Sequence, residues 1–89
     1  MNIELKGTIK LISEPEIITE KLTKNQIVIQ IEEDTQYPQD ILVEAINKKI
    51  GELEGYLPND YVTLTANLRG RENKGKHYIS LSMVSIRKG

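Results

Sequence analysis

The sequence predicts an all-β fold, a small five-stranded barrel with one short helix between its third and fourth strands. Three observations predict it. Apolar residues recur at every second position through residues 2–12, 26–33, 61–71 and 78–86, the period-2 signature of strands with one buried and one wet face. A short basic segment bearing Asn73 and Gly75 joins the last two stretches as a tight hairpin turn would. Only one segment, around residues 46–57, spaces its apolar residues as a helix does.

In the first strand Ile3, Leu5, Gly7, Ile9 and Leu11 fall on one side, and Glu4, Lys6, Thr8 and Lys10 on the other. Gly7 gives up packing, which a strand tolerates where it bends sharply or lets another backbone come close. Ser13-Glu14-Pro15-Glu16 stops this strand, because proline cannot donate to a ladder, and the polar run to Asn25 is expected to be a long loop. Ile27, Ile29 and Ile31 mark the second strand over 26–33. The acidic segment Glu32-Glu33-Asp34-Thr35-Gln36-Tyr37-Pro38 reads as a turn or hairpin loop, its X-Pro step biasing Tyr37 to an extended conformation.

Ile41, Leu42 and Val43, with Glu44 and Ala45, form a short third strand. Asn47 is placed to cap a helix whose stripe is Ile46, Ile50, Leu53 and Leu57, with Gly55 as its stop. Leu57-Pro58-Asn59-Asp60 then turns the chain into the hairpin. Its first arm directs Val62, Leu64, Ala66 and Leu68 inward, with Tyr61, Thr63, Thr65, Asn67, Arg69 and Arg71 outward. The second arm directs Ile79, Leu81 and Met83 inward, then changes phase so that Val84 and Ile86 hold the apolar positions; a bulge near Met83 explains the slip.

The order β-β-β-α-β-β with a helix plugging the barrel end is that of the five-stranded Greek-key OB-fold barrel, and closure spares so short a sheet its exposed edges. A ferredoxin-like α+β sheet needs a second helix, for which residues 13–24 offer only a weak pattern. The 89 residues form one domain over 1–89, and a chain this short buries about 60–65% of its unfolded surface, so no large internal pocket is expected. The chain lacks cysteine, which removes disulfides and thiol catalysis and fits a reducing interior. Residues 1–6 show no charged segment leading into an apolar run, and no stretch approaches the ~20 apolar residues of a membrane span. The expectation is a soluble cytoplasmic protein.

Net charge is −1, but unevenly divided: residues 1–45 carry four Lys against nine Asp/Glu, a net −5, and residues 46–89 eight Lys/Arg against four Asp/Glu, a net +4. The positive charge concentrates on the hairpin at Arg69, Arg71, Lys74, Lys76 and His77. His77 is the single histidine, so neither a Ser/His/Asp nor a Cys/His constellation has partners, and no glycine loop precedes the helix to cradle phosphate. No enzymatic activity, cofactor or small-molecule substrate is expected. Glu32, Glu33 and Asp34 are adjacent residues that diverge at a strand end, so the acidic loop reads as solvated and no metal site is expected. What remains is cations beside a strand face dressed with Tyr, Thr and Asn. Cations follow phosphates and rings stack on bases, which suits single-stranded nucleic acid. The ring candidates are Tyr37, Tyr56, Tyr61 and Tyr78.

The run Tyr61-Val62-Thr63-Leu64-Thr65-Ala66-Asn67-Leu68-Arg69-Gly70-Arg71, followed by Gly75-Lys76-His77-Tyr78, resembles the fourth and fifth strands of bacterial and phage single-stranded DNA-binding proteins. Leu5-Lys6-Gly7-Thr8-Ile9 with Pro15-Glu16 is similar to that family's first strand, and Gln36-Tyr37-Pro38 to a signature of small stand-alone OB-fold proteins. The resemblance implies that Tyr37 stacks on a base at the entrance to the third strand and that Arg69 and Arg71 contact phosphates. Asn73 and Val43 stand where the family often has further rings, which implies a thinner binding face. The acidic tail by which many members recruit partners is missing after Gly89, so recruitment is expected to use another surface.

The expected function is non-catalytic binding of single-stranded DNA, or RNA, with little sequence preference by a homo-oligomer. The expected contacts are Tyr37, Arg69, Arg71, Lys74, Lys76, His77 and Tyr78. The alternative is a protein-interaction or structural OB module, using Tyr37 and the acidic loop.

Overall fold

A computed structural model describes residues 1–31 and 38–89. The strands are β1 (Asn2–Ile12), β2 (Glu16–Thr19), β3 (Leu22–Ile31), β4 (Gln39–Ile46), β5 (Tyr61–Asn73) and β6 (Lys76–Lys88), with a 3-10 helix at Asn47–Leu53 between β4 and β5. The sheet order is β1-β5-β6-β4-β3-β2, and β1 pairs with β3 as well as β5. Five strands therefore close into a ring, and β2 extends it beside β3. Every pairing is antiparallel except β4 with β6, which meet in parallel at the single rung Glu44↔Ser82.

Ile9, Ile27, Ile29, Val43, Ala45, Val62, Leu64 and Ala66 are fully buried, and Leu53 and Met83 complete the core. Most of these are the alternate positions expected to face inward. Gly7 is where backbones meet: a Cβ there would lie 2.3 Å from the Gln30 carbonyl oxygen and 2.9 Å from Ile29 Cγ2. Gly7→Ala is expected to destabilise by about 1–3 kcal/mol, because the obstacle is backbone that cannot rotate away. Thermal unfolding checks this, with Tm lowered by roughly 4–8 °C for each kcal/mol in a domain of this size.

Four sequence expectations are corrected. The long loop after Ser13 is a hairpin, with β2 turning back into β3 through Glu16↔Lys24 and Ile17↔Thr23. Pro15 interrupts the ladder without ending the course of the strand, and the break is stitched by Ser13 Oγ, which accepts from the Gln26 N–H at 2.9 Å and donates to Asn25 Oδ1 at 2.9 Å. In β1 the register shifts between Ile9 and Leu11, which leaves Leu11 exposed and brings Ile12 onto the core. In β6 the inward phase of Ile79 is kept but the described residues leave it uncovered: the hairpin runs past the barrel and Ile79 is 79% exposed. Thr63, expected outward, is buried, its Oγ1 donating to the Gly89 carbonyl at 2.9 Å.

The helix also differs from its sequence reading. It is 3-10, so residues three apart stack on one face; Ile50 and Leu53 pack on the core, and Tyr56 follows them in place of the exposed Leu57. Asn47 does not cap it. With φ at +51°, Asn47 directs its Oδ1 to accept from the Thr23 N–H at 2.9 Å, which ties the start of the helix to β3. Gly55, at φ +86°, ends the segment as expected. The expected bulge is present: Thr65 pairs with Ser85 and Ala66 with Met83, leaving Val84 as the extra residue.

Candidate nucleic-acid interface

The β5–β6 hairpin turns at Lys74 and Gly75, with φ of +54° and +78°. Positive φ at both central residues is the mirror-image turn whose twist matches that of the flanking strands. From Arg69 to Ser80 every residue is exposed. Directly opposed residues share a face, so the pairs Arg69↔Ser80, Arg71↔Tyr78 and Asn73↔Lys76 line the outer side, and Gly70↔Ile79 and Glu72↔His77 the other. The Arg71 guanidinium carbon lies 5.9 Å from the centroid of the Tyr78 ring, within cation–π reach.

The structure thus divides the expected contact residues. Arg69, Arg71, Lys76 and Tyr78 come together on the outer face, and Lys74 sits at the tip. His77 lies on the opposite face, its Nε2 3.9 Å from Glu72 Oε2. Tyr37 and the acidic residues Glu32, Glu33 and Asp34 lie outside the described residues. Among the described residues, none of Arg69, Arg71, Lys74 and Lys76 is held in an ion pair.

Between this hairpin and the outer face of β3 and β4 is an open cleft of about 520 Å3. Residues 69–71 and 78–80, Ile79 among them, form one wall with Ser82; Lys24, Glu44 and Ile46 form the other. The cleft exists because β4 and β6 touch at one rung and then splay. Lys24 Nζ lies 3.1 Å from Glu44 Oε2, and both side chains are partly buried. Further along the same outer face a cross-strand apolar row runs from Leu11 through Val28 to Leu42. Near it Lys10 donates to Asp40 Oδ2 at 2.6 Å, and that hydrogen bond holds the Asp40 carboxyl below the usual carboxylate range.

Lys24, Glu44 and Ile46 were missed in the sequence. Their signal is the even-numbered phase of β3 and β4, but joining them to the hairpin requires the β4–β6 contact, which no local pattern encodes. Val43, read as an empty ring position on the binding face, is fully buried; Leu42 and Glu44 beside it face outward. Among the described residues no cluster of three or more His, Cys, Asp or Glu could hold a metal. No helix among them is long and apolar enough to cross a membrane.

Residues 4–87 match the family described as "Domain of unknown function (DUF3127)". The chain belongs to the DUF3127 family. No curated protein matches it in sequence. Among solved structures, the mitochondrial single-stranded DNA-binding protein Rim1 of S. cerevisiae superimposes with a TM-score of 0.83 at 13% identity, over 99% of this chain and 94% of that one. The N-terminal domain of PriB from Thermoanaerobacter tencongensis, described as dimeric, does so with a TM-score of 0.71 at 11% identity, over 99% and 94%. The small single-stranded DNA-binding protein of Streptomyces coelicolor gives 0.54 at 15% identity, over 100% and 94%. At such identities the likeness is one of fold, and it establishes the OB-fold barrel for this member of the DUF3127 family.

Proposed function

We propose that the protein binds single-stranded DNA without catalysis and with little overall sequence preference, as a homo-oligomer in the cytoplasm. The observation that carries this reading is the placement of Arg69 and Arg71, which have no ion-pair partner among the described residues, beside Tyr78 along a cleft against β3 and β4, with Lys76 nearer the turn on the same face. In OB-folds the second and third strands and the hairpin between the last two strands bind oligonucleotides; here those elements are β3, β4 and the β5–β6 hairpin. The solved structures of similar fold include proteins named for single-stranded DNA binding, which favours the same reading. Arg69, Arg71 and Lys76 follow phosphates, Lys74 reaches them from the turn, and Tyr78 offers a ring whose stacking contributes ~1–3 kcal/mol per base. Tyr37 is assigned the second stack at the entrance to β4, and His77, facing away beside Glu72, is assigned no contact. Oligomerisation multiplies a weak affinity per barrel through effective concentration.

Titration of labelled oligo-dT against salt tests the proposal. Log affinity is expected to fall with log salt by ~0.7 for each phosphate contact. An oligo-U probe run alongside reports whether RNA competes. The exposed Ile79 and Leu42 favour the second reading, a protein-interaction module, and absence of oligo-dT binding at low salt would decide for it.

A further inference from the structure

A groove that only tracked phosphates would have no use for a carboxylate, yet Glu44 stands in this cleft among Arg69, Arg71 and Lys24. Lys24 pairs with Ile46 and Glu44 with Gln26 across the β3–β4 ladder, so Lys24 and Glu44 are diagonal neighbours on the outer face. Their 3.1 Å ion pair is the least exposed in the molecule, at 35% and 22% of the side chains, among those of the described residues. Partial burial protects it from the salt screening that weakens the exposed pairs. Arg69 and Arg71 across the cleft have no such partner among the described residues. Among the described residues, one cation of the cleft is therefore neutralised and Arg69 and Arg71 are not.

We propose that Glu44 is a positioning residue: by holding Lys24 in an ion pair it keeps phosphate off the β3–β4 wall of the cleft and reserves that wall for a nucleobase, while phosphates follow Arg69 and Arg71. The inference rests on the nucleic-acid reading and adds to it which part of the strand enters. A phosphate at that wall would face a carboxylate. A base edge, with its mixture of donors and acceptors, meets the remaining acceptor capacity of Glu44, the hydroxyls of Ser80 and Ser82 that donate and accept, and the aliphatic flank of Ile46. The volume of about 520 Å3 lies within the ~300–1,000 Å3 of small-ligand sites, enough for a base with its sugar.

Glu44→Gln and the double variant Lys24→Gln/Glu44→Gln test this with labelled oligo-dT at 50 and 200 mM salt. Releasing Lys24 adds a phosphate contact. Glu44→Gln is therefore expected to bind more tightly than the unaltered chain, with a slope steeper by ~0.7, making the gain about 2.6-fold larger at 50 than at 200 mM salt. The double variant should return to the original slope, since the released cation is gone. Should Glu44→Gln lower the melting temperature, Glu44→Thr, better suited to a strand, carries the same comparison. Unchanged slope with equal or weaker binding by the single variant overturns the proposal while leaving DNA binding intact, and so does a double variant that keeps the steeper slope. Failure of the unaltered chain to bind at all overturns both.

Discussion

Leu64→Ala is expected to cost about 2–5 kcal/mol of folding stability, the range for truncating a buried leucine. Leu64 is fully buried and stands in the middle of the barrel wall, opposite Leu5 on one neighbouring strand and Ile86 on the other. The core that would have to close the cavity is rich in β-branched side chains such as Ile9, Ile27 and Val62. Such side chains have few alternative rotamers with which to collapse into it. Against a total stability on the order of 5–15 kcal/mol the loss is large. Denaturant unfolding measures it directly: the midpoint should fall with the m-value unchanged. A loss below ~1 kcal/mol would mean that β5 turns its other face to the core.

The barrel was legible because its strands are buried on one face only. That condition writes alternation into the sequence, and Ile27, Ile29, Val62, Leu64 and Ala66 are all fully buried as alternation requires. Even the bulge at Val84 showed as a slip of phase, and Gly7 as a strand residue without a side chain where backbones approach. The misreadings have separate causes. Lys10 is the extra residue that flips Leu11 outward, and a single apolar residue before Ser13 is too short a run to reveal a second phase. Ile17-Ile18-Thr19 was hidden by Pro15, because a proline rule cannot distinguish a strand's end from a gap within it. The 3-10 geometry was hidden because Ile50 and Leu53 suit either helix; only Tyr56 against Leu57 separates them, and tertiary packing makes that choice.

The site divides in the same way. Its hairpin half is local in sequence, so Arg69, Arg71, Lys76 and Tyr78 were recognisable, and strand register alone explains why His77 parts from them. The opposing wall is non-local. Lys24 and Glu44 are ordinary polar residues on two other strands and gain meaning only when the parallel rung at Ser82 brings β4 beside β6. Barrel closure, not composition, makes the cleft.

Changing Arg69, Arg71, Lys74 and Lys76 together to Gln is expected to leave the fold intact and to remove most of the affinity for single-stranded DNA. All four side chains are exposed, and the substitutions touch neither the inward-facing positions nor Gly75. Lys74 already occupies positive φ, and Gln there is no worse than Lys, so the turn should form as before. If all four contact phosphates, the slope of log affinity against log salt should shrink by ~2.8. The deficit relative to the unaltered chain would then be roughly 50-fold greater at 50 than at 200 mM salt. The loss should be uniform across oligonucleotide sequences, because phosphate contacts carry no base information. The Lys24–Glu44 pair remains in place in this variant, so any residual preference among bases reports the β3–β4 wall of the cleft alone. Unaltered affinity and slope would reduce the hairpin to a solubilising turn, and the exposed Ile79 on its other face would then point to a protein partner instead.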